Sequence, residues 1–264
     1  MPETISIEKS DHITTIWLEK PTMPPKFFAE LGAAFSELDG DVRAVVVRSR
    51  CKHFTYGLDL TAAAQDLGAA FSGGTAAPRM ELFATVRRLQ GYIDAVAACP
   101  VPVIAAVHGW CIGGGVDLLA ACDIRYATED ARFSVRETRI AIVADLGSLQ
   151  RLPPIIGEGH TRELAFTGKD IDAERARAIG LVNDVAADQD ELEKMAMSTA
   201  RQIAENAPLT VRGVKQVLDF GRSRRVADGL EFVAAWNSAF LASEDLGEAM
   251  SAFLAKRAPE FKGR

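Results

Sequence analysis

The sequence has few cysteines, and none of them stands in a CxxC pair. Its four cysteines, at positions 51, 99, 111 and 122, have spacings that match no zinc-binding or redox motif. Their neighbours are largely apolar, so we expect buried free thiols rather than disulfides or metal ligands. Free thiols persist in a reducing compartment, and we expect a cytoplasmic location.

Long apolar runs and blocks of basic residues are also missing. No apolar run reaches the roughly 18 residues that a membrane-spanning helix needs, and the N-terminal residues lack a signal-peptide pattern. The formal net charge is −6, and no basic helix face is apparent. We therefore expect neither a nucleic acid nor a membrane as partner, and no metal site.

The segments that are present alternate between strands and helices. Strands are predicted at residues 5–7, 13–18, 44–47, 103–107 and 124–127. One helix is predicted to start at Pro24-Pro25 and to carry apolar side chains at helical spacing over residues 27–38, and another to span residues 79–98. This order is typical of an α/β fold with parallel strands. After residue 188 the sequence predicts only helices, at residues 190–206, 208–220, 224–242 and 244–257. We therefore divide the chain into a core (residues 1–190) and a helical C-terminal region (residues 191–264).

A glycine triplet is the strongest local signal. The strand at residues 103–107 leads through a turn to Gly113, Gly114 and Gly115, which open a helix. A helix N-terminus offers unpaired N–H groups, and glycines let a ligand approach the backbone closely. Such a place can stabilise an oxyanion. A tight packing turn between strand and helix explains the same residues.

A second turn follows the strand at residues 44–49. Gly57 permits a sharp change of backbone direction, which would leave the N–H of Leu58 pointing outward at a ligand. A purely structural turn accounts for this segment as well.

Together with two later segments, these motifs resemble the enoyl-CoA hydratase/isomerase (crotonase) superfamily over roughly residues 5–263. The matching segments are FTYGLDL, CPVPVIAAVHGWCIGGGVDLLAACDIRYATEDARFSVRE, LGSLQRLPPIIG and AFLAKRAPEFKG. The resemblance implies a spiral of ββα units, a C-terminal helical trimerisation region, and a homotrimer or a dimer of trimers. It also implies an acyl-CoA thioester as substrate, with coenzyme A as part of that substrate and no separate cofactor.

Site residues follow from the same resemblance, position by position. The backbone N–H groups of Leu58 and Gly114 would form the oxyanion hole for the thioester oxygen. Other substrate contacts are expected along the two glycine segments and near the C-terminus: Gly57, Leu58, Asp59, Leu60, Gly115, Phe253 and Lys256.

Three acids distinguish this chain from the hydratases of the family that it resembles. Hydratases of the family carry two glutamates, whose positions here hold Asp117 and Glu137, and a third acid, Asp145, follows in an apolar stretch. This trio resembles the Δ3,5-Δ2,4-dienoyl-CoA isomerase branch. The resemblance implies that Asp145 removes the C2 proton, that protonated Glu137 delivers a proton to C6, and that Asp117 supports the site.

Other interpretations of these residues remain open. Asp145 could cap a helix beginning near residue 147, Glu137 could pair with Arg136 or Arg139, and Asp117 could be a satisfied buried acid. At the level of function, the alternatives are an enoyl-CoA hydratase and a non-catalytic crotonase-fold binding protein.

Overall fold

A computed structural model describes residues 2–64 and 76–264. The strands of this part are β1 (Ile5–Ser10), β2 (Ile13–Leu18), β3 (Ala44–Ser49), β4 (Val103–Val107), β5 (Trp110–Ile112), β6 (Ile124–Thr128), β7 (Arg132–Ser134), β8 (Ile171–Asp172) and β9 (Asp184–Ala186). The helices considered below are α1 (Pro25–Ser36), α2 (Ala76–Ala97), α3 (Gly114–Ala121), α4 (Ser148–Ile156), α5 (Glu158–Thr167), α6 (Ala173–Ala178), α7 (Gln189–Glu205), α8 (Pro208–Gly221), α9 (Val226–Phe240) and α10 (Glu244–Ala255), with a 3₁₀ helix at Glu137–Ile140.

In the described ranges, the strands of the core form two sheets. The larger has the strand order β1-β2-β3-β4-β6-β9, in which only the β1–β2 pair is antiparallel. The smaller has the order β5-β7-β8. Strand β4 lies in the larger sheet and β5 in the smaller one, and helix α3 follows them. Strands β6 and β7 are divided between the two sheets in the same way. The predicted α/β class, with its ββα units, is therefore confirmed.

The apolar composition of β3 follows from burial on both faces of the larger sheet. Val45 and Val47 belong to the main hydrophobic core, whereas Ala44 and Val46 belong to a second cluster against α7. Successive strand side chains point to opposite faces, so a strand covered on both sides lacks the usual apolar–polar alternation.

Close packing of α1 against α2 fixes one wall beside the glycine segments. Helix α1 begins at Pro25, as the sequence predicts, and buries Phe27, Phe28 and Leu31. A Cβ added to Gly32 would lie 2.4 Å from a ring carbon of Tyr92 on α2, so the two helices meet at a glycine. Helix α2 also lies beside the predicted site, because the Gln90 side chain donates a hydrogen bond to the Asp145 carbonyl oxygen.

The C-terminal helices agree with the four predicted from sequence. Helix α7 covers the second face of the larger sheet, with Leu192, Ala196 and Ala200 buried there. Helices α8 to α10 follow, and their apolar side chains are largely exposed. In the described ranges, no helix has both the length and the apolar character needed to cross a membrane. The division of the chain at residue 190 stays a prediction.

Candidate active site

Hydrogen bonds on both sides hold the Gly57 loop (residues 53–59). On one side, the Thr55 N–H donates to the Trp110 carbonyl at 2.9 Å, and the Ile112 N–H donates to the Thr55 carbonyl at 3.2 Å. On the other side, the Met23 N–H donates to the Gly57 carbonyl at 2.8 Å. The loop is therefore fixed between the chain before α1 and strand β5, beside the glycine triplet.

Gly57 occupies a conformation that other residues rarely adopt. Its φ is +80°, and a Cβ there would lie 2.4 Å from the Ile112 carbonyl oxygen. This positive φ reverses the backbone just before Leu58. A Cβ added to Gly114 would lie 3.8 Å from the Leu58 nitrogen, so the two predicted donors are neighbours.

The N–H groups of Leu58 and Gly114 donate no hydrogen bond within the described part of the chain. Gly114 is the first residue of α3, where the first N–H groups lack partners inside the helix. Two adjacent unpaired N–H groups at a helix N-terminus can hold one negatively charged oxygen.

The glycine triplet also serves packing. A Cβ on Gly115 would lie 2.5 Å from the Thr55 methyl carbon, so α3 meets the Gly57 loop at van der Waals distance. The two explanations raised by the sequence thus apply to different residues: Gly115 permits close packing, and Gly114 presents an unpaired donor.

Asp117 is buried in α3, and its carboxylate holds the start of another helix. Its Oδ1 accepts a hydrogen bond of 2.6 Å from the N–H of Ser148, the first residue of α4. Burial, together with the nearby charge of Glu137, raises the pKa of Asp117 to about 7. Asp117 is therefore a satisfied buried acid that ties α3 to the segment following Asp145.

Glu137 begins the 3₁₀ helix and lies beside the glycine triplet. Its Oε1 is 3.2 Å from the position of a Cβ added to Gly113, and its Oε2 is buried without a hydrogen-bond partner among the described residues. Burial raises the pKa of Glu137, and the charge of Asp145 adds to the increase. The neighbouring Arg136 pairs instead with Asp170. The environment of Glu137 thus favours the protonated form of its carboxyl.

Asp145 lies in the Asp145 loop (residues 141–147), which joins the 3₁₀ helix to α4. The N-cap of α4 is Gly147, and the Asp145 carboxylate accepts no hydrogen bond from the first N–H groups of that helix, so the helix-cap explanation for Asp145 does not hold. The residue is exposed, yet partial desolvation of its carboxyl raises its pKa. Its charge also raises the pKa of Asp117 and Glu137, so the three acids share one electrostatic neighbourhood.

The other predicted substrate-binding residues do not form one cluster with the three acids. The Asp59 carboxylate accepts hydrogen bonds from the N–H groups of Thr61 and Ala62, which lowers its pKa and caps the helical segment that begins at residue 60. Leu60 is half exposed. Phe253 and Lys256 lie at the end of α10, and no hydrogen bond or ion pair of the described residues joins them to the other predicted site residues.

Asp117→Asn tests the burial of this acid through the pH dependence of stability. Between its ordinary pKa of 3.8 and its folded value of about 7, Asp117 binds more protons in the folded state. The contribution of Asp117 to the free energy of unfolding of the wild type therefore decreases as pH rises through that window, and it stays constant at higher pH. Asparagine can still accept from Ser148 but does not titrate. We expect the melting temperature of the variant, relative to wild type, to rise from pH 4 to 7. A difference independent of pH would contradict this.

Comparisons with known proteins come from both sequence and structure. The sequence profile of the enoyl-CoA hydratase/isomerase family matches residues 8–264. A Dictyostelium discoideum protein named mitochondrial Δ3,5-Δ2,4-dienoyl-CoA isomerase is 40% identical, over 98% of this chain and 91% of its own length. An Arabidopsis thaliana protein named peroxisomal Δ3,5-Δ2,4-dienoyl-CoA isomerase is 42% identical, over 97% and 90%.

Solved structures share the fold. An enoyl-CoA hydratase from Bacillus anthracis superposes with a TM-score of 0.89 at 30% identity, covering 99% of this chain and all of its own. The resemblance in fold therefore extends over both the core and the C-terminal helices. Hydratases and isomerases share this architecture, so only the side chains of the site can separate the two reactions.

The expected cytoplasmic location is wrong, because the similar isomerases are named as mitochondrial or peroxisomal proteins. The expectation depended on free thiols and on missing targeting patterns. Neither observation distinguishes the cytoplasm from an organelle interior that is also reducing.

Proposed function

The chain belongs to the enoyl-CoA hydratase/isomerase family, and we propose that it converts 3,5-dienoyl-CoA into 2,4-dienoyl-CoA. The observation that carries this proposal is the pair of unpaired N–H groups, on Leu58 and Gly114, flanked by three electrostatically coupled acids. The named isomerases at about 40% identity support the same reaction. The substrate is an acyl-CoA thioester, whose coenzyme A is a carrier rather than a separate cofactor.

The two N–H groups make the first proton transfer possible. A thioester α-proton is too weakly acidic for an ordinary carboxylate to remove. When Leu58 and Gly114 both donate to the carbonyl oxygen, they stabilise the enolate that forms. Loss of one such donor costs about 3–4 kcal/mol in comparable sites.

Two carboxyl groups carry out the two proton transfers: one removes a proton from the substrate, and the other delivers a different proton to it. Ionised Asp145 takes a proton from C2, and the electron pair spreads through C3=C4 and C5=C6 as a dienolate. Protonated Glu137 gives its proton to C6, which leaves double bonds at C2=C3 and C4=C5. Each turnover leaves Asp145 protonated and Glu137 ionised, and exchange with solvent restores both. The higher pKa that burial gives Glu137 suits the acid, and the exposure of Asp145 suits the base.

The engagement of Asp117 disfavours hydration. Adding water to a double bond in this family needs two acids that hold one water molecule. Here the Asp117 carboxylate accepts from Ser148 at 2.6 Å and supports α4. This contact favours a supporting role for Asp117 over a role in activating water.

A direct assay separates the two reactions. Purified protein is mixed with 3,5-dienoyl-CoA, and the growth of the conjugated 2,4-dienoyl absorbance is followed, with 2-enoyl-CoA tested in parallel. We expect turnover of the dienoyl substrate and little or no hydration. Reaction with 2-enoyl-CoA alone would instead establish a hydratase, and reaction with neither would favour a non-catalytic binding protein.

We also propose self-association into trimers or dimers of trimers. Helices α8 to α10 expose apolar side chains that a monomer would leave in water, and such patches mark interfaces. They include Leu218, Val226, Leu230, Phe240, Met250, Phe253 and Leu254. Sedimentation equilibrium should give three or six times the chain mass of 28.5 kDa. A stable monomer would exclude this assembly.

A further inference from the structure

Helix α2 contacts the backbone of Asp145 through one side chain. The Gln90 Nε2 donates a hydrogen bond of 2.6 Å to the Asp145 carbonyl oxygen. The Gln90 Oε1 accepts a hydrogen bond of 2.7 Å from the Arg87 guanidinium. A guanidinium can only donate and a carbonyl can only accept, so these two neighbours fix which way the amide faces.

A second contact joins the same helix to the same loop one turn further on. Arg151 of α4 pairs with Asp94 and donates to the Leu146 carbonyl oxygen at 3.3 Å. Residues 90 and 94 lie on one face of α2, since positions four apart are neighbours on a helix. Gly147 adopts φ +121°, where a Cβ would meet the Arg151 guanidinium at 1.8 Å. The Asp145 loop is therefore attached to α2 at two successive points.

We infer that Gln90 is a positioning residue for the proposed base, Asp145. The Asp145 loop contains no regular secondary structure, so its backbone needs such contacts to present the carboxylate at C2 in one geometry. A displacement of about 1 Å at a reacting group can cost about 10²-fold in rate. Gln90 thus acts through the Asp145 backbone without touching substrate. This inference rests on the proposed function and adds to it a residue 55 positions away in sequence.

Gln90→Met tests this role, because methionine keeps the length of the side chain and removes both hydrogen bonds. We expect kcat with 3,5-dienoyl-CoA to fall about 5- to 20-fold, and KM to change less than about twofold. Gln90 is only partly buried, so the melting temperature should change little. The matched control is Gln202→Met on α7, which removes only a bond of 3.3 Å to Ser198 and should keep wild-type kcat.

Two further measurements separate positioning from a general structural effect. With substrate deuterated at C2, the isotope effect on kcat should be larger in Gln90→Met than in wild type, because removal of that proton becomes slower. In an Asp145→Asn background, Gln90→Met should cause little additional loss, since both changes act on the same step.

Each outcome bears on a different claim. Wild-type kcat in Gln90→Met, or a full additional loss in the Asp145→Asn background, would overturn the role of Gln90. If Asp145→Asn by itself retains near-normal turnover, the proposed base is wrong, and the inference fails with it. A strong loss in Asp145→Asn together with an unaffected Gln90→Met refutes the inference alone.

Discussion

Replacing Asp145 by asparagine, or Glu137 by glutamine, lowers turnover of 3,5-dienoyl-CoA by at least about 10²-fold each. This is the size of effect that general acid–base groups contribute. Both substitutions keep the shape of the side chain and remove one proton-transfer group. Steady-state kinetics on purified variants measures the loss. Asp39→Asn, which removes a surface ion pair with Lys9, serves as the control and should retain wild-type turnover.

The pH dependence of kcat assigns the two acids to their steps. Asp145 must be ionised, so activity falls as pH decreases through its pKa. Glu137 must be protonated, and the raised pKa of its carboxyl keeps it so above its ordinary value of 4.5; activity falls as pH rises through that pKa. The residual activity of Asp145→Asn should lack the acidic limb, and that of Glu137→Gln the alkaline limb. Near-normal turnover in either variant would defeat the role assigned to that residue.

Gly57→Ala should lower kcat by about 10²- to 10³-fold, which is the typical cost of losing one oxyanion donor. An alanine Cβ would lie 2.4 Å from the Ile112 carbonyl oxygen, in a backbone conformation that disfavours side chains. The loop must shift to relieve this contact, and the Leu58 N–H moves with it. Kinetics with 3,5-dienoyl-CoA measures the effect, and circular dichroism checks that the protein is folded.

Gly91→Ala is the matched control for this substitution. Gly91 lies in α2, where a Cβ would meet no heavy atom within 4 Å. Alanine is favoured over glycine inside a helix by about 0.8–1.0 kcal/mol, so this variant should be as stable as wild type or more stable. Its turnover should be unchanged. A folded Gly57→Ala variant with wild-type kcat would show that the position of the Leu58 N–H does not matter.

Local sequence patterns predicted the elements that have a strong periodic signal. Strand β3 was recognisable because a strand buried on both faces is continuously apolar, and α1 because Pro25 and the spacing of its phenylalanines mark one buried face. The short strands β5, β7 and β8 were not predicted. Two or three residues are too few to show an alternating pattern, and the pairing of β7 with β8 joins segments far apart in sequence.

The candidate site shows the same difference between features with a local sequence pattern and features that depend on distant residues. The sequence predicts Leu58, Gly114 and the three acids as site residues because their motifs are local and match a family pattern. The contact of Asp117 with Ser148 spans 31 residues, and that of Gln90 with Asp145 spans 55. Such contacts arise from packing between helices, and no feature of the isolated segments indicates them. The sequence does not predict a role for Gln90, because a single glutamine in a long helix has no local pattern that sets it apart from other polar surface residues.

The proposed reaction needs two separate acids at opposite ends of the diene, and isotope transfer tests this most directly. Substrate carrying two deuterium atoms at C2 is converted in ordinary water under single-turnover conditions, and the product is examined by NMR. If Asp145 removes one deuteron and Glu137 delivers its own proton, the product carries deuterium at C2 and none at C6. Deuterium at C6 would mean that one group carries the same proton between both carbons, which contradicts the account.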